Sequence, residues 1–181
     1  MKKILLFCWL LSLVAFSYSQ NLPVNDKTGK ITYLEVVDAS GMSTKNLYQA
    51  AKDWGASKGY KIQKEDEAAG EIVFEASLPV DYAGVKGKME SGNVNHSFSV
   101  FCKDGKYRYI VTDFVHEGAD KDFPSGGKLE SATPACGAAG MTSASWVLIK
   151  KKTQSGIEAN IADLKRVIKE IQNDPAKNSD W

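Results

Sequence analysis

The chain has 181 residues, with 23 lysines and arginines against 22 aspartates and glutamates, two histidines and a formal net charge of +1. That near balance, with no long block of either sign, gives no electrostatic case for a nucleic acid or other polyanion as partner. Two histidines and no cysteine cluster offer no metal-ligand spacing. No Walker loop, dinucleotide fingerprint or Gly-x-Ser-x-Gly elbow appears, so neither a metal nor another cofactor is expected.

Residues 1–19 read as an export signal. Lys2 and Lys3 give a positive start, and Ile4 to Phe16 form an apolar run too short to span a bilayer comfortably. Ser17 and Ser19 then put small residues where a signal peptidase needs them, which favours cleavage after Ser19. A lipoprotein signal would need its cysteine at the end of the run, whereas Cys8 sits inside it. Losing Lys2 and Lys3 leaves 21 basic against 22 acidic side chains, a net charge of −1. No second apolar stretch of spanning length follows, so the mature chain is expected in the periplasm or outside the cell, without a membrane span. The remaining ~160 residues suit one domain with one core. The expected division is a linker over 20–28 and a single α+β domain over 29–181.

Ile31 to Val37 is rich in β-branched and aromatic residues and predicts a strand. Ser43 or Thr44 then caps a helix whose apolar positions Leu47, Ala50, Ala51 and Trp54 recur at helical spacing, with Gly59 placed to end it. Tyr60 to Lys64 and Glu71 to Leu78 predict two strands, the second alternating Ile72, Phe74, Ala76 and Leu78 onto one face. Val94 to Val115 holds two alternating runs around Asp104 and Gly105, a type I′ dipeptide, which sets a hairpin register by counting outward. One face then carries Cys102 opposite Tyr107, Val100 opposite Tyr109, Phe98 opposite Val111 and His96 opposite Asp113. The other carries Phe101 with Arg108 and Ser99 with Ile110.

From Gly118 to Ala144 the chain is rich in glycine, serine, alanine and proline, so 119–145 is expected to be an irregular excursion. Ile157, Ile161, Leu164, Ile168 and Ile171 then mark an amphipathic helix. Trp146 and Ile149 extend its stripe backwards past Gly156, so it starts at either place, and we take it over 146–173. A frayed tail over 174–181 follows. Export would leave two cysteines, Cys102 and Cys136, and an oxidising compartment favours joining them. The bridge would close a loop of about 35 residues and stabilise by about 3 to 4 kcal/mol; two buried thiols are the alternative.

The segment from Met42 to Trp54, the run Gly70 to Ala76 and the strand pair up to Phe114 together resemble a domain-of-unknown-function family of exported bacterial proteins with a fold like the TATA-box-binding protein. The resemblance covers about residues 29 to 118. It implies a curved antiparallel sheet in β-α-β-β-β-β-α order with helices packed on one face, and it carries no site residue over to this chain. Fold likeness to a DNA-binding protein says little about function, and a net charge of −1 does not supply a basic groove.

The candidate sites are few. His96 opposite Asp113 could begin an acid–base pair, without a placed nucleophile, but it reads first as an ordinary cross-strand contact. His116-Glu117-Gly118-Ala119-Asp120 mimics a zinc-protease motif, but Asp120 stands where its second histidine belongs. Tyr33, Tyr48, Tyr60, Phe101, Phe114 and Trp146 exceed what one core face needs, and an uncovered sheet face would present some of them. Phe101, Arg108 and Phe114 are the binding candidates. The expected function is a non-enzymatic binding or envelope-associated module with an envelope protein, peptide or glycan as partner. A hydrolase using His96 and Asp113, or a structural envelope spacer, is the alternative.

Overall fold

The structure, a computed structural model, describes residues 22–119 and 123–174; the expected export signal and the residues from 175 onward lie outside the described residues. Strand β1 (Tyr33–Asp38) leads into helix α1 (Thr44–Ser57). Ser43 caps α1, its hydroxyl accepting the Asn46 N–H at 3.2 Å, and Gly59 takes φ 70° just past the helix end. Strands β2 (Lys61–Asp66), β3 (Glu71–Ala83), β4 (Met89–Lys103) and β5 (Lys106–Gly118) follow. A short β6 (Gly127–Lys128), one helical turn α2 (Gly137–Gly140) and the long α3 (Ser143–Gln172) complete the chain.

The strands form one antiparallel sheet in the order β1-β5-β4-β3-β2, with β6 pairing β5 beyond the end of β1. Alternation assigns the faces. Ile72, Phe74 and Ala76 of β3, Phe98, Val100 and Cys102 of β4, and Tyr107, Tyr109 and Val111 of β5 are all buried under α1 and α3. Trp54 of α1 lies at the centre, its ring 4.9 Å from that of Phe98 and 6.4 Å from that of Phe74. Its indole N–H donates to Asp163 of α3 at 3.2 Å, tying the two helices together. Gly55 is required here, because a Cβ would lie 2.4 Å from the Phe74 ring.

Helix α3 runs its stripe of Trp146, Ile149, Thr153, Ile157, Ile161, Leu164 and Ile168 across the same face, over a length of about 45 Å. Gly156 does not break it: a Cβ there would meet Leu78 at 2.6 Å, so the glycine is where the helix comes down onto β3. The helix starts at Ser143, capped by Thr142, and runs unbroken. Among the described residues no helix is long and apolar enough to cross a membrane.

Three local expectations are corrected. The β4–β5 register holds from Lys103 opposite Lys106 to Ser97 opposite Thr112, then slips by one residue, so that Asn95 faces Val115 and Val94 faces His116. Asp113 sits at this bulge with φ 62°, a left-handed conformation that aspartate tolerates better than most residues. His96 therefore does not face Asp113. The extra residue also reverses the alternation of β5, turning Phe114 and His116 into the core.

The turn at Asp104 and Gly105 is not type I′ either, since only Gly105 takes a positive φ, 76°, and Asp113 is the sole non-glycine with one among the described residues. Asp104 instead accepts the Thr44 N–H and hydroxyl, both at 2.7 Å, which docks the hairpin tip on the start of α1. Finally, Cys102 and Cys136 are free thiols. Cys102 lies near the hairpin tip, whereas Cys136 belongs to the loop that joins His116, opposite Val94. Eight residues of β4 separate those levels, about 26 Å at strand rise, far beyond the span of a disulfide.

Candidate functional site

The face of the sheet away from both helices carries the other half of each alternation. Phe101 stands opposite Arg108, Ser99 opposite Ile110 and Ser97 opposite Thr112 across β4 and β5. On β1, Val36 lies beside Arg108 and Leu34 beside Ile110. Leu34 and Val36 are 54% and 57% exposed, well above what their side chains favour. The Arg108 guanidinium lies 4.7 Å from the centre of the Phe101 ring, a cation–π contact that holds both side chains flat on the surface. A groove of about 210 Å³ opens here between Val36, Phe101, Lys103, Lys106 and Arg108. Two of the three binding candidates thus meet on the open face. Phe114 is buried in the core, stacked on His96 with ring centres 5.4 Å apart.

The remaining aromatic candidates serve the fold. Tyr48 and Trp146 are buried, and Tyr33 and Tyr60 pack against the core. The Tyr60 hydroxyl accepts from Asn160 of α3 at 2.9 Å, and the Trp146 indole N–H donates to the Ser131 carbonyl at 3.0 Å.

His96 and Asp113 occupy different surroundings. His96 is buried, its Nδ1–H donating to the Val94 carbonyl at 3.1 Å, and burial lowers its pKa, so the ring stays neutral. Asp113 is exposed and pairs with Lys30 on the rim of a separate recess of about 290 Å³. The pair that an acid–base mechanism needs is therefore not assembled.

His116 is fully buried between Tyr82 and Trp146, and its Nδ1 accepts the Gly126 N–H at 3.0 Å. Burial pushes its pKa down to about 4. Its role is to anchor the segment leading into β6, and among the described residues no group of three or more His, Cys, Asp or Glu side chains is placed to hold a metal.

Two features escaped the sequence reading. Lys103 and Lys106 flank the groove, which their positions beside the hairpin turn would have disclosed once the register was set. A wider groove of about 560 Å³ lies between Leu22, Val24, Leu129 and Val147, with Lys150 and Lys151 at its edge. Val24 pairs with Ile31 in an isolated bridge, so the stretch expected to be a linker packs on the domain instead.

Residues 33–117 match the model of a family described as a domain of unknown function (DUF4468) with TBP-like fold. No curated protein sequence matches the chain. Among solved structures, a TBP-like protein from Parabacteroides distasonis ATCC 8503 is similar with a TM-score of 0.61 at 18% identity, over 82% of this chain and 97% of that one. A DUF4468 family protein from Bacteroides ovatus ATCC 8483 is similar with a TM-score of 0.58 at 16% identity, over 87% and 94% of the two chains. At such identities the likeness is one of fold, an open curved antiparallel sheet with helices on one side. The chain thus carries, over residues 33–117, a stretch similar to the DUF4468 family, a domain of unknown function, and its fold is TBP-like.

Proposed function

We propose that this chain is an exported, non-enzymatic binding module of the cell envelope, whose open sheet face takes an envelope protein, a peptide or a glycan. The observation that carries this reading is the pairing of Phe101 with Arg108, bordered by exposed Leu34 and Val36, on the sheet face that no helix covers among the described residues. Aromatic and arginine side chains are enriched where proteins bind one another. Export is supported by Lys2 and Lys3 ahead of the apolar run to Phe16 and by the small residues Ser17 and Ser19. A hydrolase built on His96 and Asp113 has no such support, because one is buried and neutral and the other is paired elsewhere. A structural spacer would need neither an exposed apolar strand nor a groove.

The test is crosslinking of the tagged protein inside its native host, followed by mass spectrometry of what is captured. Repeated, near-stoichiometric recovery of one envelope component is the expected result. Recovery of abundant background alone contradicts an interaction module.

A further inference from the structure

Besides Lys30, which meets Asp113, five cations among the described residues form ion pairs. Lys52 meets Glu65, Lys58 meets Asp163, Lys64 meets Glu71, Lys165 meets Glu35, and Arg166 meets both Asp163 and Glu170. At the hairpin end of the open face the arrangement is different. Lys103 and Lys106 stand directly opposite each other across β4 and β5, with Arg108 two residues further along the same face. Like charges in that relation destabilise a sheet, and among the described residues none of the three has an ion-pair partner.

Neither of the flanking carboxylates forms an ion pair with them. Asp38 lies beside Lys106 on β1, but it accepts the Ser40 N–H at 2.8 Å and the Ser40 hydroxyl at 2.6 Å. Asp104 sits at the turn itself and is committed to Thr44. Three cations without an ion pair thus surround an apolar floor of Val36 and Phe101, in a groove large enough for one or two side chains.

We infer that this end of the open face binds an acidic segment of a protein partner, with one or two carboxylates seated among Lys103, Lys106 and Arg108 and an apolar or aromatic side chain laid against Phe101 and Val36. The inference rests on the binding-module reading above and gives its partner a chemistry. The rest of the face explains why a protein segment fits better than a polyanion. Beyond the groove the outward positions of β4 are Ser99, Ser97, Asn95 and Asn93, with Glu75 opposite Ser97 and Glu117 opposite Asn93, while Glu71, opposite Phe101, is paired with Lys64. A partner with a local acidic anchor meets neutral polar groups there, whereas an extended polyanion meets carboxylates.

The test titrates the isotopically labelled protein with the peptide Ac-DEFEDG-NH2 and follows backbone amide shifts. We expect shifts confined to the neighbourhood of Val36, Phe101, Lys106 and Arg108, and weakening of binding as salt is raised. Arg108→Glu or Lys106→Glu should raise Kd at least tenfold while leaving the unfolding midpoint within a few degrees of the unsubstituted protein. The peptide Ac-DEGEDG-NH2, without the aromatic ring, should bind more weakly, and Ac-KRFRKG-NH2 should not bind. An absence of shifts at millimolar peptide, equal binding by Arg108→Glu, or binding of heparin or oligothymidylate in place of the peptide overturns the inference. If in-cell crosslinking still captures a partner that Arg108→Glu does not disturb, the binding-module reading stands and this inference alone fails. If nothing is captured from any variant, the broader reading fails by itself.

Discussion

Under α1 and α3 the sheet presents Phe74, Phe98, Val100, Tyr107 and Val111, every one buried, while the opposite face presents Val36, Phe101, Arg108, Ile110 and a row of serines and asparagines. The same strands supply both sets by simple alternation, yet the two faces solve different problems. The covered face is filled by large rings in mutual contact, and its glycines at 55 and 156 exist so that helix and sheet can touch. The open face keeps apolar and cationic groups exposed that packing alone would have replaced. Residues that serve stability and residues available for recognition are thereby separated across one layer of backbone, which lets each be perturbed without the other.

Substitutions should separate the two faces. The largest effect is expected on the covered side: Phe98→Ala removes a ring packed on Trp54, Tyr60 and Tyr109 and should lower unfolding stability by about 3 to 5 kcal/mol in denaturant titration. His116 comes next, through pH. Its folded pKa of about 4 lies below its ordinary 6.5, so the unfolded chain binds the proton first. The stability due to its neutral ring is complete above pH 6.5, is lost as pH falls from about 6.5 to about 4, and amounts to at most about 3 kcal/mol. Burial shifts His96 in the same direction and adds to that slope. In His116→Asn, which keeps an acceptor for the Gly126 N–H, thermal melts should show a shallower loss over that range.

Gly55→Ala should cost about 1 to 3 kcal/mol by forcing a Cβ against Phe74. Ser43→Ala removes the α1 cap and should cost about 1 kcal/mol. The smallest change is expected on the open face, where Val36→Thr should stay within about 0.5 kcal/mol. A cost of several kcal/mol at Val36 would mean that the open face is part of the core.

Apart from β6 and α2, which fall in the stretch expected to be irregular, the order of elements, the caps of α1 and the first half of the β4–β5 register were legible because each rests on a local pattern: helical spacing from Leu47 to Trp54, alternation along β3, and counting from the Asp104–Gly105 turn. The register failed at one residue. Nothing around Asp113 marks a bulge in the sequence, and a single inserted residue reverses every side chain beyond it. That is why the His96–Asp113 pair dissolved and Phe114 moved from candidate surface to core, while Phe101 and Arg108, on the turn side of the bulge, stayed where counting put them. The Cys102–Cys136 bridge failed for a different reason: compartment and cysteine number say nothing of which end of a long strand each thiol occupies. The bridge between Val24 and Ile31 was equally hidden, since it is a single backbone pairing rather than part of any periodicity.

Recognition on the open sheet face is open to a direct test. The most direct test places the photocrosslinking amino acid p-benzoylphenylalanine at Val36 on that face or at Lys151 on α3, beside the wider groove, and irradiates the two variants in the native host. The account predicts a discrete crosslinked product from position 36 and only background from position 151. A product from position 151 with none from position 36 would contradict it.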